Sequence, residues 1–339
     1  MLKRMRRRAA LLPVLAVAAC ALLLAACGSQ GGSSAGGDYP RGRLSIMAPA
    51  DPGGGCDQTA RALQETARSA KLADGGVEVY NVPGAGGTIG LSQLASKRSG
   101  DPDQLMVMGL VMVGAIATND PPVDLTKVTP LASLTTEPEI IVVPAKSRYR
   151  TLRQLVDAFK ADPRSVSFAG GSAGGTDQLL VGLLAQEAGV NGSQVKYVAY
   201  SGGGEAKAAI LSGSVAAGVS GVSEFADQIE AGKMRALAVS TAKPVQVGGR
   251  SVPTIRDAGY DVELTNWRGI VGPPGLSTAE RDQIVQFLKR LHGTPEWQRT
   301  LKRFDWTDFF RTGPAFERFL RSETTRVDRV VQDLGIGAS

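Results

Sequence analysis

Two glycine-rich stretches of this chain have the residue types and spacing of an anion-binding helix start. They read GGGCDQTARAL from Gly53 and GGSAGGTDQLL from Gly170, and both contain the pattern Gly-Gly-x-Asp-Gln. The first N–H groups of a helix have no intrahelical partner and carry about half a positive charge, and glycine lets an anion approach them closely. Two such starts facing one cleft would bind a carboxylate or a phosphate.

We call these segments the first glycine loop (residues 53–57) and the second glycine loop (residues 172–177). Asp57 and Asp177 are expected to cap the helices and orient the loops, because a carboxylate aimed at an anion would repel it. The hydroxyls of Ser172 and Thr176 are better direct contacts. The alternative is that each glycine only permits a tight turn, but four glycine turns in one chain favour a site. The candidate binding residues of the two loops are Gly53, Gly54, Gly55, Cys56, Asp57, Ser172, Ala173, Gly174, Gly175, Thr176 and Asp177.

A serine hydrolase is the alternative chemistry. The segment GGSAG matches G-x-S-x-G, with Ser172 as nucleophile, and the single histidine, His292, lies downstream. Two further glycines separate Ser172 from the helix, and His292 stands at a predicted helix end before Gly293. One histidine and unclustered acidic residues predict no metal site, and GAGGTIG misses the dinucleotide fingerprint by one position. We therefore expect a protein that is not an enzyme and has no cofactor.

The surrounding elements predict an α/β fold. Strand-like runs, glycine turns and helical patterns alternate from residue 41 onward, which predicts parallel sheets flanked by helices and ligand binding at the carboxyl ends of the strands. The run PLASLTTEPEIIVVPA reads as two strands interrupted by Glu137 and Pro138. The repeated Gly-Gly-x-Asp-Gln pattern predicts two similar domains that face each other.

The N-terminus predicts export. Residues 1–26 combine a basic start with an apolar run that ends in LAAC, which is typical of a lipoprotein signal peptide cut before a lipidated Cys27, and residues 27–40 form a Gly/Ser tether. A transmembrane anchor is the alternative, disfavoured by the alanine content and Pro13. Five of 38 basic residues precede Cys27, which leaves 33 basic against 32 acidic residues and no indication of nucleic-acid binding.

Five ordered motifs resemble the substrate-binding proteins of tripartite tricarboxylate transporters, and the resemblance covers nearly all of residues 41–339. The motifs are ADPGGGCDQTARAL, VYNVPGAGGTIGLSQLA, FAGGSAGGTDQLLVGLLA, VAYSGGGEAKAAILSGSV and the stretch from GKMRALAVS to NWRGIVGPPG. The family implies a two-domain periplasmic-binding-protein fold of type II, a carboxylate-type ligand in the interdomain cleft, and delivery to a two-component membrane permease. It also implies ligand contacts at a fourth turn, formed by Tyr200, Ser201, Gly202 and Gly203.

Three positions depart from the family pattern. Cys56 stands where a threonine or a bulky residue is usual. Ala216 replaces a strand aspartate, for which Ser220 is a partial substitute, and Arg268 replaces an aromatic residue. Arg268 is either a cleft contact to a second carboxylate or an interdomain ion-pair partner.

These observations predict a monomeric receptor, lipid-anchored on the outer face of the cytoplasmic membrane or periplasmic, that binds a small organic acid. Domain 1 is expected to comprise residues 41–138 and 246–339, and domain 2 residues 139–245. The hinges are expected near EPEIIVV and after RALAVS. A ligand-sensing lipoprotein is the alternative role.

Overall fold

A single mixed sheet organises the chain. The computed structural model describes residues 39–200 and 203–336. Within them, ten strands form one sheet in the order β2-β1-β3-β11-β4-β7-β5-β6, β12 and β8 also pair with β4, and β9 and β10 form a hairpin. The strands are β1 (Leu44–Ala48), β2 (Val77–Asn81), β3 (Gln104–Gly109), β4 (Thr129–Pro144), β5 (Ser167–Gly170), β6 (Lys196–Ala199), β7 (Ala217–Gly221), β8 (Met234–Val239), β9 (Val245–Val247), β10 (Arg250–Val252), β11 (Thr265–Gly272) and β12 (Thr307–Thr312).

Helices pack on both faces of this sheet. In the described part of the chain they are α1 (Gly55–Ser69), α2 (Thr88–Lys97), α3 (Leu110–Asn119), α4 (Leu152–Ala161), α5 (Thr176–Glu187), α6 (Gly203–Ser212), α7 (Val222–Glu230), α8 (Thr278–His292), α9 (Pro295–Phe304) and α10 (Gly313–Leu334). The predicted signal peptide, Cys27, most of the predicted tether, Ser201 and Gly202 lie outside the described residues. No helix among the described residues is long and apolar enough to cross a membrane.

Strand β4 connects the two halves of the sheet. It is one strand of 16 residues, so the prediction of two separate runs was wrong. Its first part, through Pro138, pairs with β11 and β12, and its second part, from Glu139, pairs with β7 and β8. Pro138 has no N–H to donate, but it lies where the partner strands change, so the ladder tolerates it.

Each half is built around three parallel strands. Strands β1, β2 and β3 pair in parallel, as do β5, β6 and β7. The predicted parallel strands are therefore present, but the sheet as a whole is mixed, because β4, β8, β11 and β12 pair antiparallel. Strand β1 leads into the first glycine loop and β5 into the second, so both loops lie at carboxyl ends of parallel strands, where ligands of such sheets collect.

Apolar spacing fixes the helix that follows the first loop. Ala60, Leu63 and Ala67 are buried at intervals of three and four residues on α1, which gives one apolar face toward the core. Asp57 in the first turn and Arg68 in the last complement the helix dipole. This helix therefore presents its N-terminus at a defined place beside the end of β1.

The hairpin packs with the second half, and the C-terminal helix contacts both halves. Val247 and Val252 of the β9–β10 hairpin pack in the same hydrophobic cluster as Ile140 and Phe225. Helix α10 contacts both α3 and α5. Gly182 on α5 allows this close approach, since a Cβ there would lie 2.4 Å from a methyl group of Leu334 and the leucine would have to shift.

Candidate functional site

The two glycine loops line the same cavity. Gly54, Gly55 and Cys56 contribute to it from the first loop, and Ser172 and Thr176 from the second. The cavity has a volume of about 60 Å³. It shares four lining residues with an adjoining space of about 330 Å³, namely Pro49, Ala50, Gly86 and Ser172. The two spaces form one cleft that narrows toward the helix starts.

Asp57 orients the first loop. Its carboxylate accepts hydrogen bonds from the Gly53 N–H at 2.8 Å, from Arg61 Nε at 2.9 Å and from Asn81 Nδ2 at 2.9 Å. Burial alone would raise the pKa of Asp57, but these donors outweigh it and the pKa lies below its usual value. Gly53 has φ +87°, a conformation that favours glycine. Asp57 is thus held by its own loop, by α1 and by β2, and it is not among the residues that line the cavity.

Asp177 orients the second loop and also faces the cavity. Its Oδ2 accepts from the Gly171 N–H at 2.6 Å, and Gln178 Oε1 accepts from the Gly174 N–H at 2.7 Å. Burial raises the pKa of Asp177 to about 6, even though the bond from Gly171 opposes it. The hydroxyl of Thr176 lies 3.4 Å from Asn266 Oδ1, which links this loop to β11.

Arg268 forms a buried ion pair beneath the first loop. Its Nη2 lies 2.6 Å from Glu137 Oε1. Glu137 Oε2 accepts from Ser223 Oγ at 2.8 Å and from Trp306 Nε1 at 3.1 Å. Burial disfavours the charged guanidinium, but the Glu137 carboxylate outweighs this, and the pKa of Arg268 lies above its usual value. A Cβ on Gly55 would lie 2.1 Å from Arg268 Nη2, so a side chain there requires the paired guanidinium to move.

Four carboxyl groups surround this single guanidinium. Glu137, Glu139, Asp177 and Glu224 are each at most 9% exposed and interact electrostatically with Arg268. Burial, with the neighbouring carboxylates, raises the pKa of Glu224 to about 7 and raises that of Glu139 well above its usual value. Glu224 and Asp177 line the cavity, as does Arg268.

The structure brings most of the predicted site residues together. Ala173 and Tyr200 line the adjoining space, and Gly203 is the first residue of α6. Gly53, Asp57 and Gly174 are not among the cavity-lining residues. The predicted residues that line the narrow cavity are Gly54, Gly55, Cys56, Ser172, Gly175, Thr176, Asp177, Ser220 and Arg268.

Sequence reasoning missed the acidic part of the site. Glu137 was interpreted only as an interruption between strands, and Glu139, Glu224 and Asn266 were not singled out. The signal was available in EPEIIVV, where two carboxylates stand inside an apolar run. Acidic side chains are rarely fully buried unless they are paired.

The arrangement does not favour a serine hydrolase. His292 Nε2 lies 3.0 Å from both carboxylate oxygens of Asp308, and its ring stacks on Phe310 with centroids 4.0 Å apart. His292 is not among the residues that line the cavity with Ser172. Among the described residues, no group of His, Cys, Asp and Glu side chains is arranged to hold a metal ion.

The fold and the cavity between two glycine loops define a solute-binding receptor of the periplasmic-binding-protein class. More particularly, the chain belongs to the tripartite tricarboxylate transporter family receptors, whose family model matches residues 59–336. This confirms the resemblance, the fold class and the receptor role inferred from the sequence. Receptors of this class act outside the cytoplasm.

Known proteins are similar to this chain over most of its length. A UPF0065 protein from Pseudomonas sp. strain P51 is 26% identical over 306 residues, covering 89% of each chain. The periplasmic binding protein BugD has a TM-score of 0.80 at 24% identity, covering 89% of this chain and 100% of that chain.

Two solved structures from Rhodopseudomonas palustris contain ligands. MatC with bound malate has a TM-score of 0.74 at 22% identity, covering 86% of this chain and 100% of that chain. Rpa4515 with adipate has a TM-score of 0.76 at 21% identity, covering 88% and 99%. At these identities the similarity shows a common fold.

Proposed function

We propose that this receptor captures a small organic acid in the cavity between the two glycine loops and delivers it to a two-component membrane permease of the tripartite type. The observation that carries the proposal is that both helix starts and Arg268 face one cavity. Backbone N–H groups at helix N-termini bind carboxylates without needing a dedicated cation. The malate and adipate in the two related structures support a carboxylate as the ligand class.

We further propose that the halves on either side of β4 act as lobes that close on the ligand. The first crossing lies between Pro138 and Glu139, where the partners of β4 change. Because the β9–β10 hairpin packs with the second half, we place the return crossing nearer β11 than residue 246. A ligand that contacts loops from both lobes stabilises the closed arrangement.

The proposed location depends on the N-terminal sequence. A signal peptide cut before Cys27, lipid attached to that thiol and a Gly/Ser tether would hold the receptor at the outer face of the membrane, next to its permease. Labelling with a radioactive fatty acid, lost in Cys27→Ser, tests the anchor. Release of the unmodified protein in soluble form would contradict it.

Thermal unfolding tests the ligand class. A ligand at 100 times its Kd stabilises a native protein by about 2.7 kcal/mol, so at least one member of a panel of mono-, di- and tricarboxylates should raise Tm by several degrees. Thr176→Val should weaken that ligand up to about tenfold, since it removes a cavity-lining hydroxyl that also links the second glycine loop to Asn266. Thr307→Val, on an exposed position of β12, is the matched control.

No Tm shift with any organic acid contradicts the proposal, and an esterase activity lost in His292→Ala would favour a hydrolase.

A further inference from the structure

Among the residues that the structure describes, the cavity wall contains one hydrogen-bond donor and one acceptor without a partner. Arg268 Nη1 and Glu224 Oε2 have no hydrogen-bond partner among the described residues. Arg268 is 3% exposed and Glu224 is 9% exposed, and both residues line the cavity. Buried polar groups normally have partners, and leaving them without one is costly. A ligand that reaches both atoms would supply an acceptor to Arg268 and a donor to Glu224.

The charges around Glu224 determine whether the donor that the ligand supplies is neutral or cationic. The only guanidinium of the cluster is already paired with Glu137. Asp177 on α5 and Glu137 on β4 disfavour the ionised form of Glu224. Arg268 on β11 and the hydroxyl of Ser220 on β7 favour that form. The Cys56 thiol from α1 also lies in this field. A ligand with carboxylates alone would add negative charge beside two carboxyl groups, whereas a cationic group would compensate them.

We propose that the ligand is a zwitterionic amino acid, whose carboxylate lies at the glycine-loop amides and Arg268 and whose protonated amine lies against Glu224 and Asp177. This assignment rests on the proposed function and specifies its ligand class. A hydroxyl could donate one hydrogen bond at the same place, but it would leave the carboxylate charges uncompensated. The amine therefore determines the selectivity for amino acids over plain acids. The carboxylate provides the part of the affinity that any organic acid would share.

Matched ligand pairs that differ only in the amine test this assignment. We would measure Kd by calorimetry at pH 8 for succinate and L-aspartate, glutarate and L-glutamate, and propionate and L-alanine, with L-malate as the hydroxyl analogue of the first pair. The amino member of each binding pair should bind at least tenfold more tightly, and L-malate should lie near succinate. Equal affinities within the pairs overturn the amine assignment and leave the proposed function intact. No binding by any of the seven overturns the amine assignment, whereas the proposed function is overturned only if the tricarboxylates of the wider panel also fail to bind.

A variant separates an ionic role of Glu224 from a structural one. Glu224→Gln should weaken the amino member at least tenfold while leaving the matched plain acid unchanged or tighter. Glu230→Gln, on the exposed end of the same helix, should change neither affinity. Equal weakening of both ligands by Glu224→Gln would indicate a structural effect and overturn the assignment.

Proton release gives an independent readout. Because a bound ammonium favours the ionised form of Glu224, the amino ligand should release protons at pH 7, which calorimetry in phosphate and in Tris detects as different apparent enthalpies. Glu224→Gln should remove most of this release. Proton uptake by the wild-type protein with an amino ligand would overturn the assignment.

Discussion

Arg268 on β11 and Glu137 on β4 form an ion pair of 2.6 Å in which the side chains are 4% and 1% exposed. The pair lies at the point where β4 passes from one half of the sheet to the other, directly beneath Gly55 of the first glycine loop. The ion pair therefore connects the crossing strand to the ligand cavity. A substitution of either partner should change both the stability of the fold and the affinity of the site.

Removing one partner of this pair should be strongly destabilising. Arg268→Ala leaves Glu137 buried without its cation, and such changes cost about 3–5 kcal/mol. Urea unfolding of the variant should show this loss together with loss of ligand binding. The double variant Arg268→Met/Glu137→Met removes both charges and should recover a substantial part of the stability without recovering binding. A loss below about 1 kcal/mol in Arg268→Ala would contradict the buried pair.

Glu224 should make the stability depend on pH in a defined direction. Its pKa of about 7 in the native state lies above the value of about 4.3 expected in the unfolded chain. The native state thus holds this proton more tightly, so the resulting stabilisation is complete below about pH 4 and is lost as the pH rises through 7.

The glutamine side chain in Glu224→Gln cannot ionise, so the variant should not show this loss of stability at high pH. The variant should be more stable than the wild-type protein by about 3 kcal/mol at pH 8, with the difference vanishing near pH 4. Urea midpoints at the two pH values measure it. The pKa of Asp177 is also raised, so the Glu224→Gln variant should itself still lose some stability between pH 4 and pH 8. A pH-independent difference between the two proteins would contradict the prediction.

Periodic sequence patterns predicted those elements of the fold that depend on residues close together in the chain. The apolar run of β1, the spacing on α1 and the glycine turns after β1 and β5 were all readable, because each depends on residues close in the chain. The continuity of β4 was not, since Pro138 is tolerated only because its partner strands change there. Strand β12 was also missed, because its half-buried TDFFRT segment lacks a clear alternation and depends on pairing with β4.

The sequence predicted the backbone loops of the site better than the arrangement of its charged side chains. The paired Gly-Gly-x-Asp-Gln motifs indicated the two loops from sequence alone. The grouping of Glu137, Glu139 and Glu224 around Arg268 depends on β4, β11 and α7 meeting in space, and no local pattern reports that contact. Arg268 was left between two roles by the sequence. In the structure it is paired with Glu137 and also lines the cavity.

Cys56 offers a chemical probe of the cavity. Burial raises the pKa of its thiol, although the nearby Arg268 opposes this, so little thiolate exists at pH 7 and alkylation should be slow. Iodoacetamide should modify Cys56 at least tenfold more slowly in the native than in the urea-unfolded protein, and a bound ligand should slow it further. Mass spectrometry of the Cys56 peptide measures both rates. A native rate equal to that of the unfolded chain would show that the thiol is not enclosed.

A side chain at Gly55 should be destabilising, because Arg268 occupies the space beside it. A Cβ there would lie 2.1 Å from Arg268 Nη2, and relief requires displacing a guanidinium that is held by Glu137. Gly55→Ala should therefore cost about 1–3 kcal/mol, as overpacking does, and should reduce ligand affinity by moving both Arg268 and the helix start. Gly204 on α6 has nothing within 4 Å of its Cβ position, so Gly204→Ala should be neutral or stabilising by up to about 1 kcal/mol. Equal Tm values for the two variants would show that Arg268 is free to move away from the first glycine loop.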